Sequence, residues 1–117
     1  MYLFHRLQKN VVHCMMAKYV ITNERLLEFV EKYLNSLADR GYWEQDPFII
    51  ISGFMEDDDE TDVYFMEWDR TDGRLYINKR FLKIFTDMFP FSFDQAIQFI
   101  SDWFEKRFEV KVAFVDT

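Results

Sequence analysis

Residues 63–77, VYFMEWDRTDGRLYI, decide how this chain folds. Val63 to Trp68 is rich in β-branched and aromatic residues, and Arg74 to Ile77 is a second run of strand-forming residues. Asp72-Gly73 between them is a strong tight-turn signal, so the stretch predicts a hairpin. Strict alternation along its first strand would put Val63 and Phe65 on one face, with Tyr64, Met66 and Trp68 on the other. Upstream, FIIISGF (Phe48 to Phe54) is apolar on both faces, which predicts a central strand. Between that strand and Val63 lies EDDDET, followed by Asp62: six carboxylates in the seven positions 56–62. Flanked by two strands, this acid run is expected to be an exposed hairpin loop.

The flanks read as helices. From Asn23 to Arg40 the positions Leu26, Val30, Tyr33 and Leu37 form one apolar stripe, with Leu27, Leu34 and Ala38 beside it. Thr22 is a suitable N-cap, Ile21 and Leu26 fit a hydrophobic staple, and Gly41 is a stop signal. After the hairpin, Asn78 is placed to cap a helix over KRFLKIFTDMF (79–89), which Pro90 ends. Ser92 and Gln95 have capping-box spacing ahead of FDQAIQFISDWFEKRF (93–108), and VKVAFV (110–115) closes as a strand. The order α-β-β-β-α-α-β predicts a single two-layer α+β domain over 21–117, its helices on one face of a mainly antiparallel sheet. Residues 1–20, with Leu3, Leu7, Val11 and Met15 every fourth position, predict an N-terminal arm or helix packed on that domain.

At 117 residues, the length suits one domain. Aromatics number 23, of which 14 are Phe, enough to furnish a core and leave a surplus for an interface. Tyr42-Trp43, Phe91 and Phe99 fall off the best apolar stripes and are expected to be that exposed surplus, which points to a homodimer or larger assembly. The single cysteine, Cys14, allows no internal disulfide, and no apolar run reaches the ~20 residues needed to span a bilayer. A soluble cytoplasmic protein with no membrane contact is expected.

Charge is unevenly spread. Of the net −7, residues 44–72 alone carry −10, while residues 1–20 hold three bases and no acids, a balance of +3. Such asymmetry says more about partners than the total does. Metal chemistry fits the acid run poorly. An EF-hand loop begun at Asp57 would need Gly at its sixth position and Glu at its twelfth, where the chain has Asp62 and Trp68. His5, His13 and Cys14 lack zinc-ligand spacing and a fourth ligand. No metal and no cofactor are expected.

Catalysis finds no complete set. The element order is similar to that of restriction-endonuclease-like nucleases, which hold Mg²⁺ with an acid on the second strand and acid-x-Lys on the third. Glu67 and Asp69 supply the first, but the third strand runs Ile77-Asn78-Lys79, and Glu109-x-Lys111 lies on the wrong element. At best this is an inactive or divergent relative of that fold. Double-stranded-RNA-binding domains share the order too, yet need a basic helix face, so direct nucleic-acid binding is not expected.

The remaining chemistry is binding through charge. Glu56, Asp57, Asp58, Asp59, Glu60 and Asp62, extended by Glu67 and Asp69, would form a negative stripe if the strands projected them onto one ridge with Glu44, Asp46 and Asp72. Trp68, with Tyr64 and Met66, would either add contacts beside it or pack under the helices. The expectation is a small non-enzymatic inhibitor or adaptor that docks this surface on a basic protein partner, in place of nucleic acid. Its size and charge resemble those of viral accessory proteins, by analogy alone. The competing expectation is an assembly subunit that self-associates through surface aromatics, with charge serving solubility.

Overall fold

Three helices and a five-stranded sheet make up the computed structural model, which describes residues 23–55 and 63–117. The N-terminal arm, the Thr22 cap, the Ile21 side of the staple and the 56–62 loop lie outside the described residues. Helix α1 (Asn23–Gly41) buries Leu26, Val30, Leu34 and Ala38, a four-residue spacing that lines one face. Strand β1 (Tyr42–Gln45) follows without a break and turns at Pro47 into β2 (Phe48–Gly53), which pairs with it antiparallel. Strand β3 (Val63–Asp69) pairs with β2, and β4 (Arg74–Ile77) with β3, both antiparallel. Helices α2 (Lys79–Met88) and α3 (Phe93–Phe108) then cross the sheet, so the last strand, β5 (Phe114–Asp116), pairs parallel with β4. The sheet order is β1-β2-β3-β4-β5.

Strand β1 is the element missed by the sequence. Four residues, YWEQ, between a helix-stopping glycine and a proline give too short a pattern to register alternation. The closing strand is shorter than VKVAFV suggests. Val110 N–H donates to Glu105 O (3.2 Å) and Val112 N–H to the Glu105 carboxylate (2.8 Å), so side-chain and helix-end bonds replace the ladder until Phe114. In consequence Val110, Val112 and Val115 pack on the core, while Phe114 points outward, exposed.

Strand β3 departs from strict alternation as well. Ile51 pairs with Met66 but Ser52 pairs with Tyr64, which leaves Phe65 without a β2 partner. A bulge of this kind puts two consecutive side chains on one face. Phe65, Met66 and Trp68 therefore all enter the core, whereas Tyr64 and Glu67 face the other way.

All three helices lie against that one face. The core joins Val30 and Leu34 of α1 to Ile49, Ile51, Met66, Leu75 and Ile77 of the sheet, and to Phe81, Phe85, Ile100 and Phe104 of α2 and α3. Ile97 is half-buried at its edge. Ile50, between Ile49 and Ile51, is buried from the opposite side, in line with Trp43 and Glu67.

Much of the aromatic surplus is spent inside. Phe65 stacks on Phe81 (centroids 5.0 Å apart, planes at 19°), and Phe85 stacks on Phe91 (5.5 Å, 16°). Phe91, expected outside, is buried, because the residues after Pro90 fold back over α2 and bring its ring between Phe85 and Phe99. Tyr42 remains exposed, though one side of its ring stacks on Phe108 at 5.2 Å.

The caps explain where the later helices start. Asn78 Oδ1 accepts from the backbone N–H of Arg80 (2.8 Å) and Phe81 (3.4 Å), while its own Nδ2 donates to Tyr64 O (3.2 Å). One side chain thus caps α2 and ties it to β3. Ser92 and Gln95 form the full capping box of α3.

Candidate functional site

The antiparallel meander brings four acidic residues to one end of the sheet. The β1–β2 and β3–β4 turns lie at one end and carry Glu44, Asp46, Asp69 and Asp72. Residues 56–62 join β2 to β3 at the other, and the six residues of β2 set the two ends about 17 Å apart. Of the expected ridge, the described residues place Glu44, Asp46, Asp69 and Asp72 at the turn end and Glu67 on the outer face of β3.

Arginines compensate the acids of the turn end and of the outer face. At the turn end, Arg70 reaches Glu44 (3.8 Å) and Asp46 (3.7 Å), and its guanidinium lies 5.6 Å from the Trp68 ring centre. Arg74 reaches Glu67 (3.9 Å) and Asp116 (3.6 Å) on the outer face of the sheet.

Asp69 and Asp72 also build the turn. Asp69 Oδ1 accepts from Thr71 Oγ1 (2.6 Å) and Thr71 N–H (2.9 Å), and Asp72 Oδ1 accepts from Arg74 N–H (3.0 Å). Those bonds from Thr71, with Arg74 nearby, hold the Asp69 carboxyl below the usual carboxylate range. Asp69 and Asp72 thus double as local hydrogen-bond acceptors, which Asx-turn spacing in DRTDGR foreshadows.

Glu67 is half-buried on the outer face, and Trp68 is buried in the core, its indole N–H donating to Lys111 O (3.3 Å). Met66 is buried too, whereas Tyr64 is exposed and meets Trp43 edge-on at 5.7 Å. Packing under the helices is thus the outcome for Trp68 and Met66. Glu56, Asp57, Asp58, Asp59, Glu60 and Asp62 lie outside the described residues, but Met55 and Val63 fix where that run leaves and rejoins the sheet.

Beside this loop end lies a groove of about 840 Å³ between α1 and α2. Tyr33, Leu37 and Arg40 of α1 form one wall, Phe81 and Ile84 of α2 the other, and Met55 and Phe65 lie between. Burial raises the Tyr33 hydroxyl above its ordinary range, with Arg40 opposing the shift. Sequence reasoning missed this groove because its walls come from residues more than forty positions apart.

Ile77, at the position where a nuclease would carry an acid, is fully buried. Among the described residues, no three His, Cys, Asp or Glu side chains gather closely enough to hold a metal ion, and no helix is long and apolar enough to cross a membrane. His5, His13 and Cys14 lie outside the described residues. Compared with models of protein families, with curated proteins and with solved structures, the chain matches none.

Proposed function

We propose that this chain is a small non-enzymatic interaction module, an inhibitor or adaptor, that offers the acid run Glu56–Asp62 to a basic protein surface in place of nucleic acid. One observation carries the proposal: the concentration of acid between two strands whose ends are fixed by the β2–β3 pairing. Arg70 and Arg74 serve the acids of the turn end and the outer face. The loop end concentrates six carboxylates within seven residues whose own sequence holds no base. Crowding like charge costs self-repulsion, and held between two fixed strand ends it produces a localised field that steers association.

The test is a pull-down from the source cells at low and at high salt, with wild type beside the variant Asp57→Asn, Asp58→Asn, Asp59→Asn, Glu60→Gln. The association rate with the recovered basic partner falls by about tenfold or more in the variant at low salt, and the difference shrinks as salt screens the loop. If the neutralised chain recovers the same partner at the same rate, the run is solvated decoration and the proposal falls.

A second reading, self-association, is favoured by the outer face of the sheet. There Tyr64 and Phe114 are exposed and Trp43 and Tyr76 half-exposed. An aromatic face of this kind is suited to a second copy. Sedimentation at micromolar concentration decides: a strict monomer removes this reading and leaves the first standing.

A further inference from the structure

Strand β5 is the most lightly held strand of the sheet. None of the residues 109–117 is buried: Val110, Val112 and Val115 are half-buried and the others are exposed. Strands β2, β3 and β4, in contrast, each bury at least two side chains. β5 pairs over three residues only, Phe114 to Asp116, and pairs parallel, the weaker arrangement per residue. The other edge strand, β1, pairs antiparallel along all four of its residues.

Ahead of β5 the chain is held by single bonds. Glu109 ends α3 in the left-handed region (φ 54°, ψ 48°), a bend that a residue with a Cβ adopts at some cost. Glu105 then fastens the next residues twice. Its carbonyl accepts from Val110 N–H (3.2 Å) and its carboxylate from Val112 N–H (2.8 Å). Further on, Lys111 O accepts from the Trp68 indole N–H (3.3 Å), and Ala113 N–H donates to Gly73 O (2.8 Å). Asp116 adds a part-exposed ion pair with Arg74 at 3.6 Å, of a kind that contributes little.

Local stability follows burial and ladder length, so a segment poor in both opens at lower cost than the body of the domain. We propose that residues 109–116 are a detachable strap. They open as one unit about Glu109, with the Glu105 carboxylate as the latch, while the three helices and β1–β4 stay folded. Opening changes two things. The side of β4 that pairs with β5 becomes an open strand edge, a template that backbone pairing can extend, and the closed strap blocks it. The Trp68 indole N–H loses its acceptor. The strap is independent of the partner reading, since none of the bonds named above involves the acid run.

Native-state hydrogen exchange of the full chain, read residue by residue by NMR, tests the strap. The amides of Val112 and Ala113 and the hydrogen-bonded amides of β5 are expected to share one protection factor. It should lie on the order of a hundredfold below that of β2 and β3, and the Trp68 indole N–H should open with them. Glu105→Ala deletes the carboxylate and keeps the backbone acceptor. It should lower the protection of Ala113 and β5 about tenfold and leave β2 and β3 unchanged. Strap amides as protected as those of β2 and β3 overturn the proposal, because the segment would then open only with the whole domain. Equal losses across all strands in Glu105→Ala overturn it too, since Glu105 would then support the domain and latch nothing. So does a Trp68 indole that stays protected while β5 exchanges, the mark of β5 fraying alone.

Discussion

Gly41 stands where the last turn of α1 meets β2, and a Cβ built there would overlap the backbone carbonyl of Ser52. Replacing an ordinary helix glycine by alanine gains up to ~1 kcal/mol, but a backbone obstacle cannot move aside as a flexible side chain does. Gly41→Ala is therefore expected to destabilise by about 1–3 kcal/mol in urea unfolding; a stabilised variant would mean that the helix end has room. At the other end of the sheet, Asp69 works through its charge state. Its hydrogen bonds from Thr71 lower its pKa in the fold, so it contributes at neutral pH. The contribution is lost as pH falls from the ordinary value of about 3.9 through the lower folded one. NMR titration should place its midpoint below that of a model peptide, and Asp69→Ala should remove that part of the acid sensitivity. A midpoint at the ordinary value would deny the turn this role.

At the scale of elements, α2 is held mainly by the aromatic array around Phe85. Its ring meets Tyr33 of α1 at 6.4 Å, Phe81 at 6.1 Å, Phe89 at 5.1 Å and Phe91 at 5.5 Å. Phe85→Ala or Ile100→Ala should cost ~2–5 kcal/mol, because neighbours locked in a shared cluster cannot close the cavity. Ile84→Ala, one position away on the solvent side, should cost clearly less. Equal losses at 84 and 85 in denaturant titrations would mean that α2 is rotated from the face described. The helices were legible because their signals are local: four-residue stripes, the Asn78 cap and the Ser92–Gln95 box each sit within one or two turns. Strand faces were less so. One residue slip at Phe65 reverses the side on which Met66 and Trp68 emerge, and the slip is a property of the β2–β3 pairing.

For the whole molecule, the distribution of charge matters more than its total. The acids of the turn end are paired or used as hydrogen-bond acceptors, so neutralising them should cost stability. Neutralising Asp57, Asp58, Asp59 and Glu60 together should leave the thermal midpoint unchanged or slightly raised, since self-repulsion within the run is relieved. A marked fall in midpoint would show that the run supports the fold and would redirect the partner proposal.

What the sequence determined by itself was the kind and order of most elements, the antiparallel hairpin about Asp72-Gly73, and the concentration of acid between two strands. Each rests on neighbours in the chain, where propensity, capping and turn chemistry act. The tertiary structure alone decided that Arg70 and Arg74 pair with the acids of the turn end and the outer face, that Phe91 and Trp68 go inside, and that α1 and α2 leave a groove over Met55 and Phe65. Those outcomes depend on strand register and on contacts between residues tens of positions apart, which no local pattern encodes.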